Sequence, residues 1–335
     1  MTTARRRGPQ LKRVLVTGAL GFVGLNIVRR LAQGGWRVSA LTRRDPDEAS
    51  ERFLGEAGAR VRWVQGDVTD RPGMMALVAR EGVSHLLHAA ALTATPEEER
   101  AEPARGFDVN AGGTLNLLEA ARVAGLKRVV FVSSSGIYGA APPTPLKRET
   151  EALVIDNLYT VAKQASEQLC RRYQDLYGLS VVVGRLGTAY GPMERVTGSR
   201  RGMSRVYQAI HGALEGRALT VYGASVSRDY CHVYDVAEAF AALLEAEVLN
   251  HNIYNVGGEG AEPLRAALEA IGEALPSFQW REVACPEEAD LVLDPEKARA
   301  GLDLGRLRTD TPWRAHFDLR TGVKAYIDWL REERS

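Results

Sequence analysis

The chain has 335 residues, 45% of them hydrophobic and 25% charged, with a formal net charge of +1. This length and balance suit a globular protein with one large α/β domain and a substantial extension. They exclude a global electrostatic pull toward nucleic acid or an anionic membrane, and no apolar run approaches the length of a membrane span.

The start lacks the apolar segment of a secretory signal, and Arg5, Arg6 and Arg7 read as a solvated tail. The first element is an apolar strand from Val14 that runs through Gly18, Gly21 and Gly24 into a helix, with Val23, Ile27, Val28 and Leu31 on one helical face. A sharp strand-to-helix turn leaves the first helical N–H groups open, and glycines let a pyrophosphate approach them. The turn therefore predicts a dinucleotide site at Gly18, Gly21, Phe22, Val23 and Gly24.

Further strands are expected at Arg37–Thr42, Arg60–Gln65, Val83–Ala90, Arg128–Ser133 and Leu179–Leu186. Helical stretches alternate with them, clearest at Ala104–Ala124 and Tyr159–Tyr177. This alternation predicts an α/β fold, a doubly wound parallel Rossmann sheet covered on both faces. Beyond residue 190 the pattern loosens into Gly- and Arg-rich loops. Two parts follow: residues 1–185 as a dinucleotide-binding domain and 186–335 as a smaller substrate lobe, with some chain crossing between them.

Tyr159 and Lys163 lie four residues apart at the start of a helix, so phenol and ammonium share a face. A nearby cation lowers a tyrosine pKa and makes the phenol usable as an acid/base. Ahead of them, Phe131-Val132-Ser133-Ser134-Ser135-Gly136 is a buried strand ending in hydroxyls, at the strand end where open α/β sheets bind ligands. From Arg195 to Arg228, both included, stand six arginines and one acid, Glu215, an imbalance that suits an anionic ligand. Cys170, Cys231 and Cys285 show no metal-ligand spacing and read as reduced thiols of a cytoplasmic protein; no metal is expected.

Over essentially its whole length the chain resembles the extended short-chain dehydrogenase/reductases that act on nucleotide sugars. The resemblance runs through Thr17-Gly18-x-x-Gly21-x-x-Gly24, Gly66-Asp67-Val68, His88-Ala89-Ala90-Ala91 and Val109-Asn110-Ala111-Gly112-Gly113-Thr114. It continues through Ser133-Ser134-Ser135, Tyr159-x-x-x-Lys163, Tyr190-Gly191-Pro192, Arg228–Ala237 and Tyr254-Asn255-Val256-Gly257. It implies Ser134 as the catalytic hydroxyl, with Ser135 as fallback, Tyr159 as acid/base, and Lys163 also on the nicotinamide ribose. Asp67 and Val68 would flank the adenine. Ala89, Ala90, Ala91, Asn110 and Gly187 would line the cofactor. Arg228 would hold a substrate diphosphate, with Arg195, Thr93, Ser135, Gly136 and Thr188 toward the substrate. The family's two-fold packing implies a homodimer through the two long helices, with Leu169, Tyr173 and Leu176 as an apolar face.

Three departures narrow the chemistry. Ser135 and Gly136 stand where dehydratases of the family carry Asp-Glu, which speaks against elimination and decarboxylation. Thr42, Arg43 and Arg44 stand where NAD-preferring members place Asp, so NADP is favoured over NAD, although a small loop shift would bring Asp45 to the ribose. Thr188 replaces the usual Asn, and the loop Gly223–Ser227 is about one residue short, which loosens the substrate assignment.

The expected function is hydride movement at a carbinol or ketone carbon of a nucleotide-activated sugar, as a 4-epimerase or a sugar ketoreductase or dehydrogenase. Two alternatives stand beside it: an NADP-dependent dehydrogenase of a small non-nucleotide compound, and a non-catalytic NADP sensor.

Overall fold

The computed structural model describes residues 12–198 and 200–333; the Arg5–Arg7 tail lies outside them. In the first half, strand and helix alternate: β1 (Arg13–Thr17), α1 (Phe22–Gln33), β2 (Arg37–Thr42), α2 (Glu48–Leu54), β3 (Val61–Gln65), α3 (Arg71–Glu81) and β4 (His85–His88). Then come α4 (Pro96–Ala101), α5 (Pro103–Phe107), α6 (Gly113–Ala124), β5 (Arg128–Ser134), α7 (Leu158–Tyr177) and β6 (Val181–Leu186). Apart from the edge strand β3, these strands are apolar along both faces, as the buried runs Val14-Leu15-Val16 and Val129-Val130-Phe131 illustrate, because helices cover the sheet on each side.

The second half holds β7 (Thr188–Tyr190), α8 (Arg205–Leu214), β8 (Leu219–Tyr222), β9 (Ser227–Arg228), β10 (Tyr230–His232), α9 (Val233–Glu245) and β11 (Ile253–Val256). It ends with β12 (Glu262–Pro263), α10 (Leu264–Ala274), β13 (Trp280–Glu282), β14 (Leu291–Val292), α11 (Gly305–Asp310) and α12 (Leu319–Glu332). Seven parallel strands form the main sheet in the order β11-β6-β5-β4-β1-β2-β3. The order reverses between β1 and β4, and in open α/β sheets the crevice at that point takes the ligand.

The chain crosses between the two halves. Helix α9 packs on the same core as α1, and β11 pairs with β6 at the sheet edge. A second core, built from α8, α10, α12 and the three-stranded sheet β13-β8-β14, includes Val206, Ile210, Leu268, Ile271 and Tyr326.

The helix expected at Ala104–Ala124 is broken. A π-helical turn at Asp108–Gly112 separates α5 from α6. Within it Thr114 Oγ1 and Ser166 Oγ both donate to the Asn110 carbonyl, at 2.6 and 3.1 Å, taking up an acceptor that the wider turn frees. Of the apolar face expected on α7, Leu169 and Tyr173 pack inward on the sheet core, and only Leu176 is exposed. Among the described residues no helix is long and apolar enough to cross a membrane.

Candidate active site

The glycine turn has the shape its sequence requires. Gly18 adopts φ +67°, and a Cβ there would lie 2.7 Å from the Ala90 backbone, so β1 and the end of β4 meet only because this residue has none. A Cβ on Gly24 would fall 2.1 Å from the Gly18 carbonyl, so α1 likewise closes onto the turn. The first intrahelical bond is Leu25 N–H to Gly21 O at 2.8 Å, and no side chain caps the helix. The Phe22, Val23 and Gly24 N–H groups are left for a ligand, and all three residues line the central cleft. A dinucleotide pyrophosphate fits this cradle on the protein's own geometry.

Beside the turn, a cavity of about 250 Å³ runs toward β2 and β3, lined by Leu41, Thr42, Arg43, Arg44, Asp67, Val68, Ala90 and Ala91. Thr42 is buried, and its hydroxyl donates to the Arg44 carbonyl at 2.7 Å and accepts from the Arg44 N–H at 3.2 Å. It lines the cavity as expected and shapes the turn that displays the arginines. Asp45 is drawn aside, accepting from Gln65 Nε2 at 2.8 Å at the end of β3. Asp67 accepts from Thr69, N–H and hydroxyl, and so fixes the turn after β3.

The cleft proper has a volume of about 510 Å³. Ala89, Ala91, Thr93, Ser134, Ser135, Gly136, Tyr159, Lys163, Gly187, Thr188 and Arg228 all reach it. The strand end of β5 supplies the serines, and the Ser134 Oγ accepts the Gly136 N–H at 3.1 Å. Asn157 caps α7, accepting from the Thr160 N–H at 2.9 Å, so the helix begins one residue before Tyr159.

Lys163 is buried, donates to the Val132 carbonyl at 2.8 Å, and lies 5.7 Å from the Tyr159 ring centre. Burial lowers its pKa to about 8, with the Glu167 carboxylate opposing. Burial also raises the Tyr159 phenol, while Ser134 and the Arg200 guanidinium pull it back. The Lys163 ammonium is held to β5 and lies over the ring, and Arg200 brings a further cation that acts on the phenol.

Two further positions fall elsewhere. Arg195 turns away from the cleft, pairing with Asp47 at 3.0 Å and donating to Ser50 at 2.7 Å. Asn110 spends both ends of its amide on Leu92, accepting from its N–H at 2.8 Å and donating to its carbonyl at 3.0 Å. It holds a wall and lines a neighbouring cavity, not the cofactor groove.

Residues not singled out from sequence complete the site. Arg200, Arg205, Lys297 and Arg299 line the cleft with Arg228 and Lys163, and no carboxylate does so among the described residues. Burial, together with Arg299 and Arg205 nearby, lowers Arg228 to about 10. Arg200 is partly neutralised by the buried Glu194 at 2.7 Å. Clustered guanidiniums at the cost of mutual repulsion mark a place prepared for an anion.

Residues 14–257 match the NAD dependent epimerase/dehydratase family. The chain is 29% identical over 312 residues to a UDP-glucose 4-epimerase of Lacticaseibacillus casei, covering 85% of this chain and 89% of the relative. It is 32% identical over 254 residues to a dTDP-4-dehydro-6-deoxy-D-allose reductase of a Streptomyces species, covering 73% and 75%. The crystal structure of a UDP-glucose 4-epimerase of Thermus thermophilus in complex with NAD matches with a TM-score of 0.79 and 29% identity, over 95% of this chain and 99% of that one.

Proposed function

The chain belongs to the NAD-dependent epimerase/dehydratase family, and on that premise we propose that it moves a hydride at a carbinol or ketone carbon of a nucleotide-activated sugar. It does so as a 4-epimerase or as a sugar ketoreductase or dehydrogenase. The observation that carries this reading is one cleft in which Ser134, Tyr159 and Lys163 meet Arg205, Arg228 and Arg299 with no acid among them. A neutral small alcohol has no use for that charge, and a pure cofactor sensor has no use for the hydroxyl, phenol and ammonium.

The glycine turn, Ala89–Ala91, Asp67 and Val68 would hold the dinucleotide, which when bound supplies the hydride donor or acceptor. Tyr159 exchanges the proton of the reacting oxygen. Ser134 orients that oxygen by hydrogen bonding, and the Lys163 charge stabilises the phenolate and any developing oxyanion. Arg228, with Arg205 and Arg299, would hold the nucleoside diphosphate by forked charge-assisted hydrogen bonds. The missing carboxylates at Ser135 and Gly136 support retention of the hydroxyl over its elimination. Thr93 and Thr188 would face the sugar.

NADP(H) is the preferred cofactor in this proposal. Arg43 and Arg44 edge the adenine end, and Asp45, the acid that would repel a 2′-phosphate, is tied to Gln65. Residues 1–185 would form the cofactor domain and 186–335 the substrate lobe, less the stretch 233–256 that returns to the sheet. The three free cysteines suit the cytoplasm.

Tyr159→Phe tests the assignment. It should lower turnover of nucleotide hexoses by about 10²–10⁴-fold and leave NADP(H) and nucleoside diphosphate binding intact. Unchanged turnover overturns the mechanism; nucleoside diphosphate that fails to bind at millimolar concentration favours a small non-nucleotide substrate.

A further inference from the structure

At the end of the main sheet opposite the cleft lies a cavity of about 680 Å³, open to solvent past Lys12, Gly82 and Lys127. Sheet register builds it. Val14 pairs with His85 and His85 with Arg128, so β1, β4 and β5 begin level with one another. One residue earlier the ladder continues, from Ser84 N–H to the Arg13 carbonyl at 3.0 Å and from Lys127 N–H to the Ser84 carbonyl at 2.8 Å. Arg13 and Lys127 therefore flank Ser84, about 10 Å apart at the backbone. The end of α9, at Leu244–Glu247, closes the cavity on another side.

Four cations line it, Lys12, Arg13, Lys127 and Arg128, against the two carboxylates of Glu245 and Glu247. Glu245 is turned to the Trp36 indole and accepts its N–H at 2.7 Å. Arg128 is half-buried and held by α9, donating to the Leu243, Leu244 and Ala246 carbonyls. Lys12 lies over the Trp36 ring, 5.4 Å from its centre, and neither Lys12 nor Arg13 pairs with a carboxylate among the described residues. Burial, reinforced by Arg128, Lys127 and Lys12, lowers His85 to about 4, so its ring is neutral at neutral pH. A solvated basic face spreads its charges over a convex surface. Here strand register gathers an excess of two positive charges around a concavity, where their field adds.

We infer that this cavity is an anion site, separate from the cleft, that takes a phosphoryl group, free or carried by a small metabolite, between Lys12, Arg13 and Lys127. The charge excess matches a phosphate dianion, and ammonium and guanidinium donors suit its oxygens. The His85 ring, edge-on to Trp36 at 4.9 Å with Nδ1 engaged by the Ser84 hydroxyl at 2.8 Å, is a local reporter of what binds there. The inference is independent of the reaction proposed above.

The test titrates the full chain with inorganic phosphate and with a hexose phosphate at neutral pH, following the His85 ring signal by NMR. Loss of that signal in His85→Gln assigns it. Both probes should shift it saturably, with half-saturation at or below about 1 mM, and potassium chloride at the same ionic strength should not. Arg13→Gln and Lys127→Gln should each raise the half-saturating concentration about tenfold while keeping a native thermal transition. Tighter binding of the hexose phosphate supports a site for a phosphorylated metabolite, and equal binding supports a site for free phosphate. A shift that chloride reproduces, that does not saturate, or that both variants leave intact marks an adventitious ion only and overturns the site.

Discussion

The Ser133 hydroxyl donates to Glu167 Oε1 over 2.6 Å, which ties the strand end that carries Ser134 to the helix that carries Tyr159 and Lys163. Arg185 of β6 closes the arrangement with bonds of 3.1 and 2.7 Å to the two carboxylate oxygens, and both charged side chains are almost completely buried. Removing one partner leaves the other charge in the core, at a cost of about 3–5 kcal/mol. Glu167→Gln and Arg185→Met should each destabilise the fold by roughly that amount, and Glu167→Leu with Arg185→Met by much less than the sum. Urea unfolding measures the three; strictly additive losses would show that the pair does not act as a unit.

Glu167 also bears on catalysis through Lys163, one turn before it. Lys163 has a lowered pKa, about 8, mainly from burial, and the Glu167 carboxylate opposes that lowering. Only the ammonium stabilises a phenolate, so turnover should decline above about pH 8. In Glu167→Gln the opposing charge is gone, and this alkaline limb should move to lower pH without a matching change in KM. An alkaline limb that stays in place would assign it to another group.

Sequence periodicity located the sheet well because the strands of the first half, the edge strand β3 apart, are buried on both faces. β2 was expected and found at Arg37–Thr42, and β5 runs one residue past the expected Ser133. What escaped it depends on residues distant in sequence. Arg195 reads as one more arginine of a basic stretch until Asp47, 148 positions away, is seen to claim it. Lys297 and Arg299 reach the cleft from a loop some 70 residues beyond Arg228, with no local pattern to announce them. Asn110 was placed at the cleft by its motif, yet its amide matches the Leu92 backbone, a pairing visible only once the π-helical turn is built. The Tyr159 and Lys163 spacing was legible because a helix alone sets it; the further cation near the phenol was not, because Arg200 arrives from another part of the chain.

Cofactor choice is testable at Arg43. Its side chain is exposed at the cavity beside β2 and β3, whereas Arg44 lies 3.8 Å from the Asp47 carboxylate. Arg43→Ala should weaken NADP(H) binding roughly tenfold, the worth of one charge-assisted hydrogen bond, and leave NAD(H) nearly unchanged. Equilibrium titration by nicotinamide fluorescence reads both. Equal loss for the two cofactors, or tighter wild-type binding of NAD(H), would reject the NADP preference.

Assembly is testable on α6 and α7. Leu115, Val123, Val161, Leu176 and Tyr177 are all more than a third exposed on these two helices, an apolar surface suited to a two-fold mate. Light scattering should give the mass of a dimer, and Val161→Arg with Leu115→Arg should give that of a monomer with the same thermal unfolding enthalpy per chain. A wild-type monomer at tens of micromolar would leave those side chains as isolated surface hydrophobics.

Asp229 sets a pH dependence of stability with a definite sign. Its carboxyl is buried behind the cleft, accepting the Gly258 N–H at 2.7 Å on one oxygen, while the other has no partner. A Cβ on Gly257 would lie 2.4 Å from that second oxygen, so backbone crowds it and keeps water away. Burial raises the pKa to about 8, against the opposing pull of the Gly258 and Leu302 backbone. Since the folded value exceeds the unfolded one, the native state binds the extra proton between about pH 4 and pH 8, and stability falls as pH rises through that window. The buried His88 and His232 act in the opposite sense, because burial lowers both to about 3, but their contribution is complete by about pH 6.5. Between about pH 6.5 and 8, below the range in which the lowered Lys163 acts in the opposite sense, the Asp229 slope should therefore emerge as a fall of several degrees in Tm. Asp229→Asn keeps an oxygen for the Gly258 N–H and cannot ionise, so its Tm should be flatter across the same range. A variant that retained the wild-type slope would move the titration to a different buried group.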